Sequence, residues 1–203
     1  MKPATLTLSL TLITLPLFGQ SPLITEFMAD NNDALVLPDG SSPDWIELHN
    51  PGADPADLTG WHLTDNDGAL TRWTFPAGVT IPAGGYLVVY ASGLDLLDPG
   101  APLHTNFQLE RNGEYLALVN PEGTVEQDFA PEYPNQIEDF SYGIILGTEE
   151  TAYFPNPTPG APNNEAVLGT VEDTKFSVDR GFFDAPFDVV ITSDTPGASI
   201  YYT

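Results

Sequence analysis

The chain has 203 residues, with 29 acidic against five basic side chains, no cysteine, 41% hydrophobic and 11% aromatic residues. That balance excludes a nucleic-acid backbone or an anionic membrane surface as partner, since both need clustered Lys and Arg, and after Lys2 only Arg72, Arg111, Lys175 and Arg180 remain, scattered singly. The apolar content also excludes a disordered chain, and without cysteine the fold rests on core burial or a bound metal.

Residues 1–20 read as an export signal: Lys2 gives a positive start, Leu6 to Phe18 is the apolar stretch, and Gly19 is small, so cleavage is expected near Gln20. The period-two alternation of Thr5 to Leu12 also fits an amphipathic first strand, but its place at the very start of the chain favours export. No later apolar run reaches the roughly 18 residues that a spanning helix needs. The expected mature chain is soluble, secreted or on the cell-envelope exterior, and carries a self-repelling acidic surface.

Short runs rich in β-branched and aromatic residues, bounded by Pro, Gly, Asn or Asp, follow one another with no helical periodicity, which predicts an all-β fold. Leu23 to Phe27 is the first strand and Trp45 to His49 the second, joined through the polar stretches Asp30 to Asp33 and Asp39 to Ser42. Asp65-Asn66-Asp67-Gly68 is a tight turn, after which Arg72 to Phe75 resumes the sheet. Pro76 and Pro82 flank Val79 to Ile81 and make it an edge or corner, because proline gives the ladder no donor. Tyr86 to Tyr90 is apolar on both faces and is expected to be central. Asn112-Gly113, between Phe107 to Leu109 and Tyr115 to Val119, is the strongest hairpin signal in the chain. A turn at Pro121-Glu122-Gly123, a strand Val125 to Phe129, a proline-rich excursion over 131–135 and a closing strand Ser141 to Ile145 complete the unit.

The order Asp44-Trp45-Ile46-Glu47-Leu48-His49-Asn50, Leu58-Thr59-Gly60-Trp61, Trp73-Thr74-Phe75-Pro76 and Gly85-Tyr86-Leu87-Val88-Val89-Tyr90 resembles the lamin tail domain family. In that family a strand ending in Asn precedes a Gly-Trp strand, an aromatic-x-Phe-Pro corner and a Gly-led hydrophobic strand. The resemblance covers about residues 23–145 and implies an immunoglobulin-like β-sandwich, a size that suits one such domain. Nuclear scaffolding is not implied, because the chain has an export signal and no coiled-coil heptads.

Phe154 to Asn163 is proline-rich and reads as a stiff spacer. The expected domains are therefore a signal at 1–20, a lamin-tail-like sandwich at 21–150, a linker at 151–170 and a partial second β-sandwich at 171–203. The last piece, with Gly181-Phe182-Phe183, Pro186-Phe187-Asp188-Val189 and Pro196-Gly197-Ala198-Ser199-Ile200-Tyr201-Tyr202-Thr203, resembles the start of the C-terminal sandwich of chitobiases and β-hexosaminidases. Pro196-Gly197 suits a type II turn. Thr203 falls in mid-strand, so the sequence is expected to be a fragment that leaves Ile200 to Tyr202 as an exposed edge.

Calcium is the one chemical hypothesis with positive support: Glu26, Asp30, Asn32, Asp33 and Asp44 offer oxygen ligands that a sandwich end can gather, although neither Asp-rich turn fits the twelve-residue calcium loop. Solvated turns explain the same residues. His49, His62 and His104 fit no zinc spacing and read as surface or rim residues. Glu110 and Glu114 face one another across the expected hairpin as a conceivable acid and base. Trp45, Trp61, Trp73, Tyr86 and Tyr90 are candidates for a sugar-stacking platform, but the lamin-tail pattern places Trp61 and Trp73 in the core. Trp45, between Asp44 and Glu47, has the surroundings that least predict burial. No nucleophile elbow or phosphate loop is present. The expected function is that of a non-catalytic exported binding or spacer module whose partner is an extracellular protein or carbohydrate. The alternative is the N-terminal accessory region of a longer secreted enzyme, spore-coat-kinase-like or carbohydrate-active, whose catalytic domain lies beyond Thr203.

Overall fold

Alternating side chains in short runs, cut by turn residues, give fourteen strands and no helix among the described residues of this computed structural model, which are 21–169, 171, 173–195 and 198–201. In chain order they are β1 (Leu23–Met28), β2 (Asp44–His49), β3 (Ala56–Asp57), β4 (His62–Thr64), β5 (Trp73–Thr74), β6 (Thr80–Ile81), β7 (Tyr86–Ala91), β8 (Leu103–His104), β9 (Ala117–Val119), β10 (Val125–Asp128), β11 (Ser141–Ile144), β12 (Thr151–Phe154), β13 (Lys175–Phe176) and β14 (Ile191–Thr192). The expected leader at 1–20 and the Pro196-Gly197 turn lie outside the described residues.

A six-stranded sheet runs β12-β11-β1-β2-β7-β8 and a four-stranded sheet runs β10-β9-β4-β5. All pairings are antiparallel except β7 with β8. The two sheets close on a shared core that takes Ile24, Phe27, Ile46, Leu48 and Val89 from one, Leu63, Trp73 and Leu118 from the other, and Leu58, Phe75 and Ile81 from the β3–β6 corner. Phe27 is its aromatic hub, with ring centroids 4.8 Å from Tyr133, 5.0 Å from Phe129 and 5.8 Å from Tyr142. This is the immunoglobulin-like β-sandwich, and Val79 to Ile81 sits at its corner as the flanking prolines dictate.

Three local expectations change. Asn112-Gly113 makes a turn, with Gly113 at φ +98° and its N–H donating to Glu110 O, but no ladder joins Phe107–Leu109 to Tyr115–Val119. The partners of 111–116 come instead from the proline-rich excursion and the residues flanking it: Phe129 N donates to Leu116 O, Tyr133 N to Glu114 O and Gln136 N to Arg111 O. Burial of the Tyr133 ring, 1% exposed, outcompetes the local hairpin. Second, β7 has neighbours on both sides, but β8 spans two residues, and Tyr86, Leu87, Val88 and Tyr90 remain half-buried. Third, the sandwich continues past 150: β12 pairs with β11 through Ser141↔Phe154 to Ile144↔Thr151, and Val167 bridges Tyr153. The prolines at 155, 157, 159 and 162 lack N–H groups, yet the residues between them donate into the sheet, so the expected spacer is docked.

In the C-terminal part, β13 and β14 pair through Lys175↔Thr192 and Phe176↔Ile191 as a two-stranded ribbon, with Lys175 Nζ bonded to Asp194 Oδ2. Residues 198–201 form no strand. Tyr201 is 90% exposed, so the predicted edge is exposed there without strand geometry, and Tyr202 lies outside the described residues.

Candidate functional site

The central strands β1 and β2 of the six-stranded sheet are buried on both faces. On β2, Ile46 and Leu48 belong to the shared core, while Trp45 and Glu47 project from the opposite face, and all four are fully buried. A bulge in β1 shifts the register from Ile24↔Leu48 to Glu26↔Glu47, setting these two glutamates side by side. Glu26 lies opposite Gly143 on its other side, where a Cβ would stand 2.0 Å from Thr25 O. Only glycine fits there.

Segment 155–163 crosses this face and supplies most of the carboxylates' donors. Thr158 N donates to Glu26 Oε1 at 3.0 Å and Thr158 Oγ1 to Oε2 at 3.0 Å, while Ser141 Oγ completes the shell with a short bond to Oε1. Gly160 N donates to Glu47 Oε2 at 2.6 Å and Thr25 Oγ1 to Oε1 at 2.6 Å. Asn163 Nδ2 fastens the far end to Thr25 O at 2.9 Å and Ile144 O at 3.0 Å. Loss of water raises both carboxyls, that of Glu47 to about 7 despite its hydrogen bonds, with the charge of Glu26 adding to the rise.

A cleft of about 400 Å³ opens at the seam between the sheets. Leu23, Phe129 and Ile144 give it apolar walls, and Glu126, Asp128 and Glu149 line it with acid. Gln127 bridges the seam there, its side chain accepting from Ile24 N at 2.6 Å and donating to Ile24 O at 2.9 Å.

The five calcium candidates are not gathered into one site. Glu26 is enclosed by Ser141 and Thr158. Asp30 pairs with Arg111 at 3.2 Å, and Asp44 accepts from Asn31 N at 3.1 Å, its carboxyl raised to about 6 by burial. Asn32 and Asp33 are held by their backbone amides, which together with Ala34 N donate to Asp139 Oδ1. Among the described residues no three acidic or histidine side chains come together in a way that could hold a metal ion. Asp139 organises the loop instead, from a left-handed backbone at φ 59°.

The histidines stand apart. His49 Nδ1 donates to Gly85 O at 2.9 Å and the ring stacks on Tyr86, His62 Nδ1 lies 2.8 Å from Thr74 Oγ1, and His104 Nδ1 lies 2.8 Å from Ser92 Oγ. Contrary to a rim position, His104 is buried, and burial lowers its pKa. Glu110 and Glu114 do not face each other across a hairpin. Glu114 Oε1 accepts from Glu110 N at 2.8 Å and from Tyr133 Oη at 3.1 Å, and burial lifts its carboxyl to about 6. Trp45 and Trp73 are buried, so no exposed platform includes them, while Trp61 is half-buried against the core.

Sequence reasoning missed Glu47. Alternation assigns it with Trp45 to a solvent face, and the signal against that assignment is the large, mostly apolar Trp45 two residues before it together with the donors Thr158 and Gly160 in a run that reads as a free linker.

The lamin tail domain family model matches residues 19–131, more than half of the chain. Among curated proteins none matches.

Proposed function

Because the chain belongs to the lamin tail domain family, we propose that it acts as an exported, non-catalytic binding and spacer module. The matched region is an immunoglobulin-like module of a non-enzymatic family. The observation that carries the binding role is the seam cleft, whose apolar walls and acidic rim present a recessed surface on the sandwich. An extracellular protein or carbohydrate is the partner class that suits it. Export rests on the sequence of residues 1–20, and no helix among the described residues is long and apolar enough to cross a membrane.

A second reading, favoured by one observation, makes these residues the accessory region of a longer secreted enzyme of spore-coat-kinase-like or carbohydrate-active type. Phe176, Phe182, Phe183 and Phe187 are 60%, 108%, 51% and 45% exposed, and Val189 and Val190 beside them are half-exposed, as expected of a sandwich layer whose cover is further polypeptide.

One experiment tests both: fractionation of the native source followed by intact mass. The expected product is outside the cytoplasm and lacks about twenty N-terminal residues. A cytoplasmic product of full length overturns export. A mass near 21.9 kDa less the leader favours the module alone, and a much larger mass favours the accessory region.

A further inference from the structure

We propose that residues 155–163 form a proton-controlled latch: the Glu26–Glu47 pair holds this segment on the sheet while one of the two carboxyls carries a proton, and releases it as both ionise. The inference does not depend on export or on any ligand.

Two fully buried carboxylates are cross-strand neighbours, and among the described residues no basic side chain pairs with them: Arg72 pairs with Asp65, Arg111 with Asp30 and Lys175 with Asp194, while Arg180 is exposed. Segment 155–163 contains no charged residue. A buried, uncompensated pair of negative charges is costly, so the docked state favours one proton on the pair. The other elements add little relief. On β11 the facing residues are Ser141 and Gly143, and on β12 Ala152, none of which titrates as a cation or acid. On β7 the pair faces Val88, with Tyr86 close enough for the Glu47 charge to help raise its hydroxyl, after burial. His49, at the end of β2, is turned to Gly85 O and the Tyr86 ring.

The segment's attachment runs through these same carboxylates. Thr158 N, Thr158 Oγ1 and Gly160 N end on them, leaving Asn163 to hold backbone carbonyls. Opening hydrates the pair and returns each carboxyl toward its ordinary value of 4.5, against about 7 for docked Glu47. Between those values the docked form carries the extra proton, so rising pH favours opening by up to tenfold per unit and levels off above about 7. The latch is tightest in acid. Release frees residues 155–162, about 27 Å of extended chain, between β12 and the Asn163 anchor, and uncovers the face that carries Glu26 and Glu47.

The test is amide hydrogen exchange on the full chain at pH 5, 6, 7 and 8, corrected for the intrinsic rate. Protection at Thr158 and Gly160 is expected to fall about tenfold per pH unit from 5 to 7 and then level, while Val89 in the core keeps its protection. Glu47→Gln, which removes the carboxyl raised to about 7, is expected to flatten that dependence, leaving only what the burial of Glu26 contributes. Should this variant not fold, carbon NMR titration of the Glu47 carboxyl in the wild type gives the same answer: a midpoint near 7 supports the latch and an ordinary one near 4.5 sinks it. Protection that is flat with pH in the wild type, a Glu47→Gln protein that keeps the slope, or a slope abolished by chelator, which would mean a cation in place of the proton, each overturns the proposal.

Discussion

The sandwich and the C-terminal ribbon are written in the same residues and end in opposite states. Phe27, Trp73, Phe75 and Phe129 of the sandwich are at most 8% exposed, whereas Phe176, Phe183 and Phe187 of the ribbon region are 45% to 60% exposed and Phe182 fully so. Both regions show β-branched and aromatic runs cut by Pro and Gly. What separates them is a second layer: the six-stranded sheet has a four-stranded partner on one face and the 155–163 crossover on the other, while among the described residues β13 pairs with β14 alone. A two-stranded ribbon is marginal by itself, and each uncovered Phe forgoes about 1.5–3 kcal/mol of burial. Strand chemistry is thus necessary for a sheet, and stability comes from what lies across it.

The largest effect that tests this contrast is expected at Phe27. It touches three aromatic rings from β10–β11 and the proline-rich excursion, so Phe27→Ala removes the contact that joins β1 to all of them. The expected loss is about 3–5 kcal/mol in denaturant unfolding. A loss below about 1 kcal/mol would mean that the aromatic cluster is not what closes the sandwich. A somewhat smaller effect, about 2–3 kcal/mol, is expected for Gly143→Ala, because the new Cβ would meet Thr25 O at 2.0 Å, and that carbonyl is fixed in the β1 bulge and by Asn163. Unchanged unfolding would show that the bulge moves freely and that Glu26 and Glu47 are not rigidly paired.

The fold was legible because its signals are local. Alternation over Trp45 to His49, glycine and asparagine in the 65–68 turn, and proline on both sides of Val79 to Ile81 each specify geometry within a few residues, and the lamin-tail order of motifs assembles them. The errors arise where a distant partner decides. Asn112-Gly113 has the composition of a hairpin, but Tyr133 claims the neighbouring backbone from twenty residues away through Glu110 and Glu114. The prolines after Phe154 have the composition of a spacer, yet Thr158 and Gly160 find Glu26 and Glu47 more than a hundred residues earlier. The acid-rich turns at Asp30 to Asp33 suggested calcium, whereas the half-buried Asp139, which also supplies its own amide to Asp30 O, gathers those amides. A carboxylate's donors cannot be read from its sequence neighbours when they come across a sheet.

The smallest expected effect carries the other half of the comparison. Phe182→Ser removes a large apolar side chain that is fully exposed, so no burial is lost and the unfolding free energy of the sandwich should change by less than about 0.5 kcal/mol. Thermal unfolding followed through the buried Trp45 and Trp73 reads the sandwich alone, because no tryptophan lies beyond residue 73. A fall of several degrees would show that the ribbon region is packed against the sandwich and would break the contrast between the two. The same substitution made in protein from its native source sharpens the contrast instead: if further polypeptide or a partner covers Phe182 there, the change becomes destabilising, since a ring removed from a covered layer costs what a ring removed from solvent does not.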